Sequence, residues 1–177
     1  MIRKLNSGVN AAGNPIGKPT GFSIGVAFDP FATRMEPYIQ RLKKKVALGA
    51  HYALTQPCYS PEKAVEMYEK TRDVGIPIFL GVMPLMSEKN AEYLHHEVPG
   101  IRIPDAVRAQ MKGLSGAPGR ARGLAIAKEL VERAFPLAAG FYIVPVFNDR
   151  EVALEMVRHI RALERKAKAE RRTQNEE

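Results

Sequence analysis

Gln56, in the run Leu54-Thr55-Gln56-Pro57, carries a carboxamide with two donors and an acceptor, enough to pair with the edge of a heterocycle without adding charge. The same group can cap backbone groups of its own loop, and the residue alone does not choose between the two roles. A second cluster is Arg41-Leu42-Lys43-Lys44-Lys45. On a helix Arg41, Lys44 and Lys45 share one side, next to an apolar stripe of Ile39, Leu42 and Val46. Like charges so placed repel mildly, which a phosphate would relieve, although a solvated helix face is the commoner fate of lysine.

Other reactive side chains point to less. His95 and His96 are neighbours in sequence and diverge on a helix, and no histidine or carboxylate stands at metal-ligand spacing from them. Cys58 is the single cysteine, with no partner for a disulfide and no obvious histidine to activate it, so a packed thiol is expected. No Gly-rich phosphate loop follows a strand. Gly113-Leu114-Ser115-Gly116-Ala117-Pro118-Gly119 lies between helical stretches and reads as a turn.

The elements that must position these groups alternate regularly. Four apolar, β-compatible runs begin at Phe22, Tyr52, Ile76 and Gly140. Each is followed by helical periodicity: 36–48 ending at Gly49, a helix entered at Ser60-Pro61 and ending by Gly75, two short helices over 87–97 and 105–112, a longer one over 120–135, and a last one over 149–168. The order β-α-β-α-β-α-β-α predicts an α/β fold with parallel strands and right-handed crossovers. Its chemistry belongs at the carboxyl ends of the strands, at Ala27-Phe28-Asp29-Pro30, Thr55–Tyr59, Gly81–Leu85 and Pro145–Asn148. Residues 1–21, rich in Gly, Asn and Pro from Asn6 onward, read as an irregular entry segment, 22–160 as the folded domain, and 161–177 as a basic helix end or tail.

Composition bounds the class. With 45% apolar and 26% charged residues the chain suits one folded domain, and no apolar stretch is long enough for a membrane span or a signal peptide core. A soluble cytoplasmic protein is expected. The net charge of +8 is concentrated near the end, where residues 158–172 carry seven Lys/Arg against two Glu. Without interleaved aromatics that run reads as a solvated helix end, and a nucleic-acid accessory role rests on it alone.

Taken in order, the strand ends resemble the C-terminal half of the methylenetetrahydrofolate reductase barrel. The likeness is carried by Phe22–Ala27 with Pro30, by Leu42–Ala50, by Leu54-Thr55-Gln56-Pro57 and by Pro77–Pro84; the stretch Asn90–Pro104 resembles the branch fused to homocysteine S-methyltransferase. The resemblance implies half of a (βα)8 barrel whose family binds FAD, uses NAD(P)H as reductant and delivers hydride to 5,10-methylenetetrahydrofolate, in one-carbon and methionine metabolism. By position it assigns Gln56 and Asn90 to the folate substrate. It assigns Lys45, Lys44, Arg41, Ala27 and Asp29 to the flavin. The four strands correspond to the family's last four, so no residue here stands where its general-acid glutamate or its flavin-tuning aspartate would.

Four βα units are half of what a closed eight-stranded barrel needs. Such a half exposes two strand edges and one apolar face, so it has to be completed by a partner polypeptide, a second copy, or further sequence of a longer parent. Two functions follow as alternatives: part of a flavin-dependent reductase that needs the missing half for full activity, or a non-catalytic half-barrel that binds or assembles.

Overall fold

The computed structural model describes residues 1–31, 33–146 and 149–174. It contains helix α1 (Ile2–Asn6), strand β1 (Gly25–Phe28), α2 (Glu36–Ala47), β2 (Tyr52–Pro57), α3 (Pro61–Lys70), β3 (Ile78–Val82), α4 (Glu88–Glu97), α5 (Asp105–Met111), α6 (Gly116–Ala134), β4 (Gly140–Ile143) and α7 (Arg150–Gln174). The strands form one sheet in the order β1-β2-β3-β4, and every neighbouring pair is parallel.

That order decides the architecture. When strand after strand is added on the same side through right-handed crossovers, every helix falls on one face of the sheet, as in the wall of a barrel. A doubly wound sheet reverses direction and gains helices on both faces. Here the outward side chains Phe28, Ala53, Ile78, Leu80 and Val82 pack with Ile39 and Leu42 of α2, Met67 and Tyr68 of α3, Leu130 and Val131 of α6, and Val152 and Met156 of α7. The fold is four βα units of a (βα)8-type wall.

The alternate side chains of the same strands face away from the helices: Gly25 and Ala27, Tyr52, Leu54 and Gln56, Phe79 and Gly81, Gly140 and Tyr142. This face is tiled by rings laid over the glycines of neighbouring strands. A Cβ on Gly25 would sit 2.5 Å from the Tyr52 ring, one on Gly81 2.7 Å from the Tyr142 hydroxyl, and one on Gly140 2.9 Å from the Phe79 ring. Glycine is what lets each ring lie flat.

Several boundaries differ from the sequence expectation. Residues 1–21 are not wholly irregular, because Ile2–Asn6 forms a short helix, and Asn6 ties down the chain before the sheet by bonding both backbone groups of Phe22. The first strand therefore begins at Gly25 rather than at Phe22. Helix α6 begins at Gly116, so Gly119 lies inside a helix and not in a turn. Glycine is required there and at Gly123, since a Cβ at either would strike the backbone carbonyl of Met86 or Leu85, against which α6 packs. The last helix runs on to Gln174 rather than ending near 168, so the basic stretch from 161 is the end of that helix. The strand-end residues Phe147 and Asn148 lie outside the described residues.

Ser60 caps α3 as its place before Pro61 predicts, its hydroxyl accepting from the Lys63 N–H at 3.2 Å. A smaller apolar cluster of Tyr59, Leu85, Leu94, Ile101, Ile103, Val107, Met111 and Ile126 packs α4 and α5 onto α6. It holds the connection 98–104 across the carboxyl ends of β1 and β2.

Candidate functional site

Gln56 sits where the ladder between β2 and β3 breaks register, between Leu54 and Pro57. Such a bulge re-aims a side chain, and three hydrogen bonds fix this one. The Thr55 hydroxyl donates to the Gln56 carbonyl at 2.7 Å and accepts from the Gly81 N–H at 3.0 Å, while the Tyr142 hydroxyl donates to the Thr55 carbonyl. Thr55 is buried, so its hydroxyl works without competition from water. Gln56 itself is half-buried, on the uncovered face and at the carboxyl end of its strand.

The connection between α4 and α5 forms the neighbouring wall. Gly100, at φ +84°, brings its backbone beside both Gln56 and Asp29: a Cβ there would lie 3.6 Å from Gln56 Cγ and 3.8 Å from Asp29 Oδ2. Asp29 follows β1, and its Oδ1 accepts from the Phe31 N–H at 3.2 Å, an Asx-type turn that fixes the loop. Gln56, Asp29 and Gly100 thus converge on one spot. A cleft of about 340 Å³ is lined not by these three but by residues two along the chain from each, Phe31, Cys58 and Arg102, with Ser60, Lys63, His95 and Ile103. His95 Nδ1 accepts from the Ile103 N–H at 3.2 Å, which leaves Nε2 as the ring's donor. Among the described residues Arg102 makes one long bond, 3.4 Å to the Phe31 carbonyl.

The basic helix face divides. Lys45 Nζ donates to the Ala27 carbonyl at 2.6 Å, on the outer edge of β1. Arg41 lies over the Tyr38 ring, 5.4 Å from its centroid, and Lys44 is exposed. Lys43 points the other way, to Asp73 at 2.7 Å beyond α3. Ala27 is exposed on the uncovered face, one residue from the buried Phe28.

Asn90 has a local partner. It is buried, its Oδ1 accepts from the Met86 N–H at 3.1 Å, and its own N–H donates to Ser87 Oγ at 3.1 Å, a reciprocal cap on α4. Its carboxamide oxygen is engaged by the fold, whereas that of Gln56 has no hydrogen-bond partner among the described residues. Asp149 is likewise occupied, accepting from Arg120 at 2.7 Å and from the Val152 N–H at 3.1 Å as α7 begins. Cys58 is buried, and burial pushes its thiol up to about 12, so it is a packed side chain. Among the described residues, no three His, Cys, Asp or Glu side chains stand close enough together to hold a metal ion, and no helix is long and apolar enough to cross a membrane.

Residues 12–147 match the family model of methylenetetrahydrofolate reductase. The chain belongs to that family. A solved structure titled as an uncharacterized protein from Clostridium thermocellum that binds two copies of 5-methyl-5,6,7,8-tetrahydrofolic acid is similar in fold, with a TM-score of 0.60 at 17% identity. The alignment covers 80% of this chain and 53% of that one, so the chain spans about half of its structural neighbour. No curated protein matches the sequence.

Sequence reasoning singled out Gln56 and the cations of α2, and the structure brings Gln56 to Asp29 but leaves Asn90 in a cap. It missed what aims Gln56, namely Thr55 and Tyr142, and it missed Gly100 and Arg102. The only sequence signal for these was a threonine directly before the glutamine and a Pro-Gly turn three residues ahead of Ile-Pro.

Proposed function

We propose that this chain is the folate-facing half of a methylenetetrahydrofolate reductase barrel, and that reductase turnover needs the other four βα units. The observation that carries the reading is Gln56, held at the carboxyl end of β2 by the Thr55 and Tyr142 bonds, with its carboxamide uncommitted among the described residues. A pterin edge offers the complementary donors and acceptors. The adjoining cleft, with Arg102, Lys63 and the His95 Nε2 donor, suits the carboxylates at the other end of a folate.

The donor set also fits a diphosphate-bearing flavin, since Arg41 and Lys44 are exposed and Ala27 leaves the end of β1 free of bulk. Lys45, Lys44, Arg41, Ala27 and Asp29 are the residues that would hold FAD, which supplies hydride taken from NAD(P)H. The chain's own residues bind and orient. Neither strand-end aspartate is free to act as an acid, since Asp29 is engaged in its turn and Asp149 in an ion pair, and a positioned acid is typically worth ~10²–10⁴-fold.

Titration calorimetry with 5-methyltetrahydrofolate tests the reading. Gln56→Ala is expected to weaken binding by about 1–3 kcal/mol while leaving the melting temperature unchanged. Equal affinity in the variant would return Gln56 to a loop cap. The chain alone, given FAD, is expected to show no NAD(P)H-dependent turnover, and turnover at ordinary enzymatic rates would contradict the need for a second half.

A further inference from the structure

The two open edges of the sheet carry the same sign of charge. On the β1 side, the flank of α2 away from α3 presents Arg41, with Lys44 exposed beside it, and Arg3 packs at the foot of this helix against Gly49. Lys45 plugs the edge itself. The Ile24 carbonyl bonds the His51 N–H across to β2, so by strand alternation the Ala27 carbonyl points outward, and Lys45 takes it at 2.6 Å.

On the β4 side, α7 meets α6 through Lys128–Glu155 at 2.6 Å and His159–Glu132 at 3.0 Å. Its opposite flank borders a groove of about 450 Å³ floored by Phe141, Ile143, Val157 and Ile160. The rim is Arg161, Arg165 and Lys168 against one carboxylate, Glu164. This is the groove that the next helix of a barrel ring covers. In a barrel closed by a second copy, that helix is α2, and the cations of α7 would face Arg41 and Lys44 across both seams.

We infer that the half-barrel is built against closure with its own copy, and that its α7 groove takes the apolar face of a helix flanked by acidic residues, on a non-identical set of βα units. The inference rests on the half-barrel reading above and names the chemistry of its partner. Charge complementarity selects that partner, because like charges set opposite one another suppress a wrong pairing while opposite charges steer the right one. The apolar floor supplies the area and the rim supplies the choice.

The chain itself provides the probe. A variant carrying Arg161→Glu, Arg165→Glu, Lys168→Glu, Arg41→Glu and Lys44→Glu has both seams reversed, and all five positions are exposed, so circular dichroism should match the parent. Sedimentation at about 0.05 M salt is expected to find the parent and this variant largely unassociated when separate, and a one-to-one heterodimer when mixed. A second variant with only the three α7 changes sets acid against base within one species, and should self-associate about tenfold more tightly than the parent. Raising salt to about 0.5 M should weaken both new complexes and strengthen parent self-association. A parent dimer that is stable and indifferent to salt would overturn the inference, as would a mixture that forms no heterodimer. Neither result bears on folate binding, which the Gln56 titration reads separately.

Discussion

The two faces of the sheet are made by the same four strands yet packed in different ways. The helix-covered face is filled by branched aliphatics and methionine, with Ala53, Leu80, Met67, Val131 and Met156 fully buried. The other face holds Leu54 at 37% exposure and three aromatic rings lying over glycines. In the first, side chains from different elements interlock. In the second, rings and glycines of adjacent strands cover one another within a single layer. The covered face therefore carries the stability, and the uncovered face, with Gln56 at its upper end, is the one proposed to carry a ligand.

Leu80→Ala against Leu54→Ala tests that division most strongly. Leu80 is central in the sheet and wholly enclosed by helices, so its truncation should cost about 2–5 kcal/mol by chemical denaturation. Leu54 leads to solvent, and its truncation should cost under about 1 kcal/mol. Equal losses would mean that the uncovered face is already packed against something in solution.

The tiling has its own test. Gly81→Ala places a methyl 2.7 Å from the Tyr142 hydroxyl and 2.9 Å from its ring, forcing the ring away and breaking its bond to the Thr55 carbonyl. The loss should be about 1–3 kcal/mol, accompanied by weaker folate binding, because the same bond helps to fix Gln56. A change in stability with binding intact would separate the tiling from the site.

The covered face was the legible one. Apolar runs bounded by glycine and helices with clear stripes gave the parallel α/β order, and Ser60-Pro61 marked a helix start correctly, because each of these signals is local. The entry helix and the start of α6 were misread for the opposite reason. Gly119 carries the usual mark of a turn, and its true role, shared with Gly123, is to let α6 approach the backbone at Met86 and Leu85, a contact between segments about 35 residues apart. The candidate site was half legible. The place of Gln56 at a strand end could be read from its sequence, but the bulge that aims it depends on Thr55 pairing with Gly81 and Tyr142 reaching over from β4. Asn90 shows the converse, a carboxamide of equal promise in sequence that a local cap claims.

The smallest expected effect is alkaline and belongs to the covered side, where the loop after β2 buries Cys58, Tyr59 and the neighbouring Tyr68. Burial raises all three, the Cys58 thiol from 9.0 to about 12 and the two phenols upward as well. A group raised in the folded state ionises first in the unfolded chain. Its contribution is therefore intact below pH 9 and is lost as pH climbs from about 9 toward about 12. At pH 9.5 the Cys58 share should still be below about 1 kcal/mol, so the denaturation midpoint should fall only slightly there and more steeply above. Cys58→Ala should flatten the early part of that fall. Alkylation of the native thiol at pH 8 should proceed only at the rate of unfolding, whereas rapid labelling of the folded chain would show that the end of β2 is open to solvent and that the two faces differ less than their packing implies.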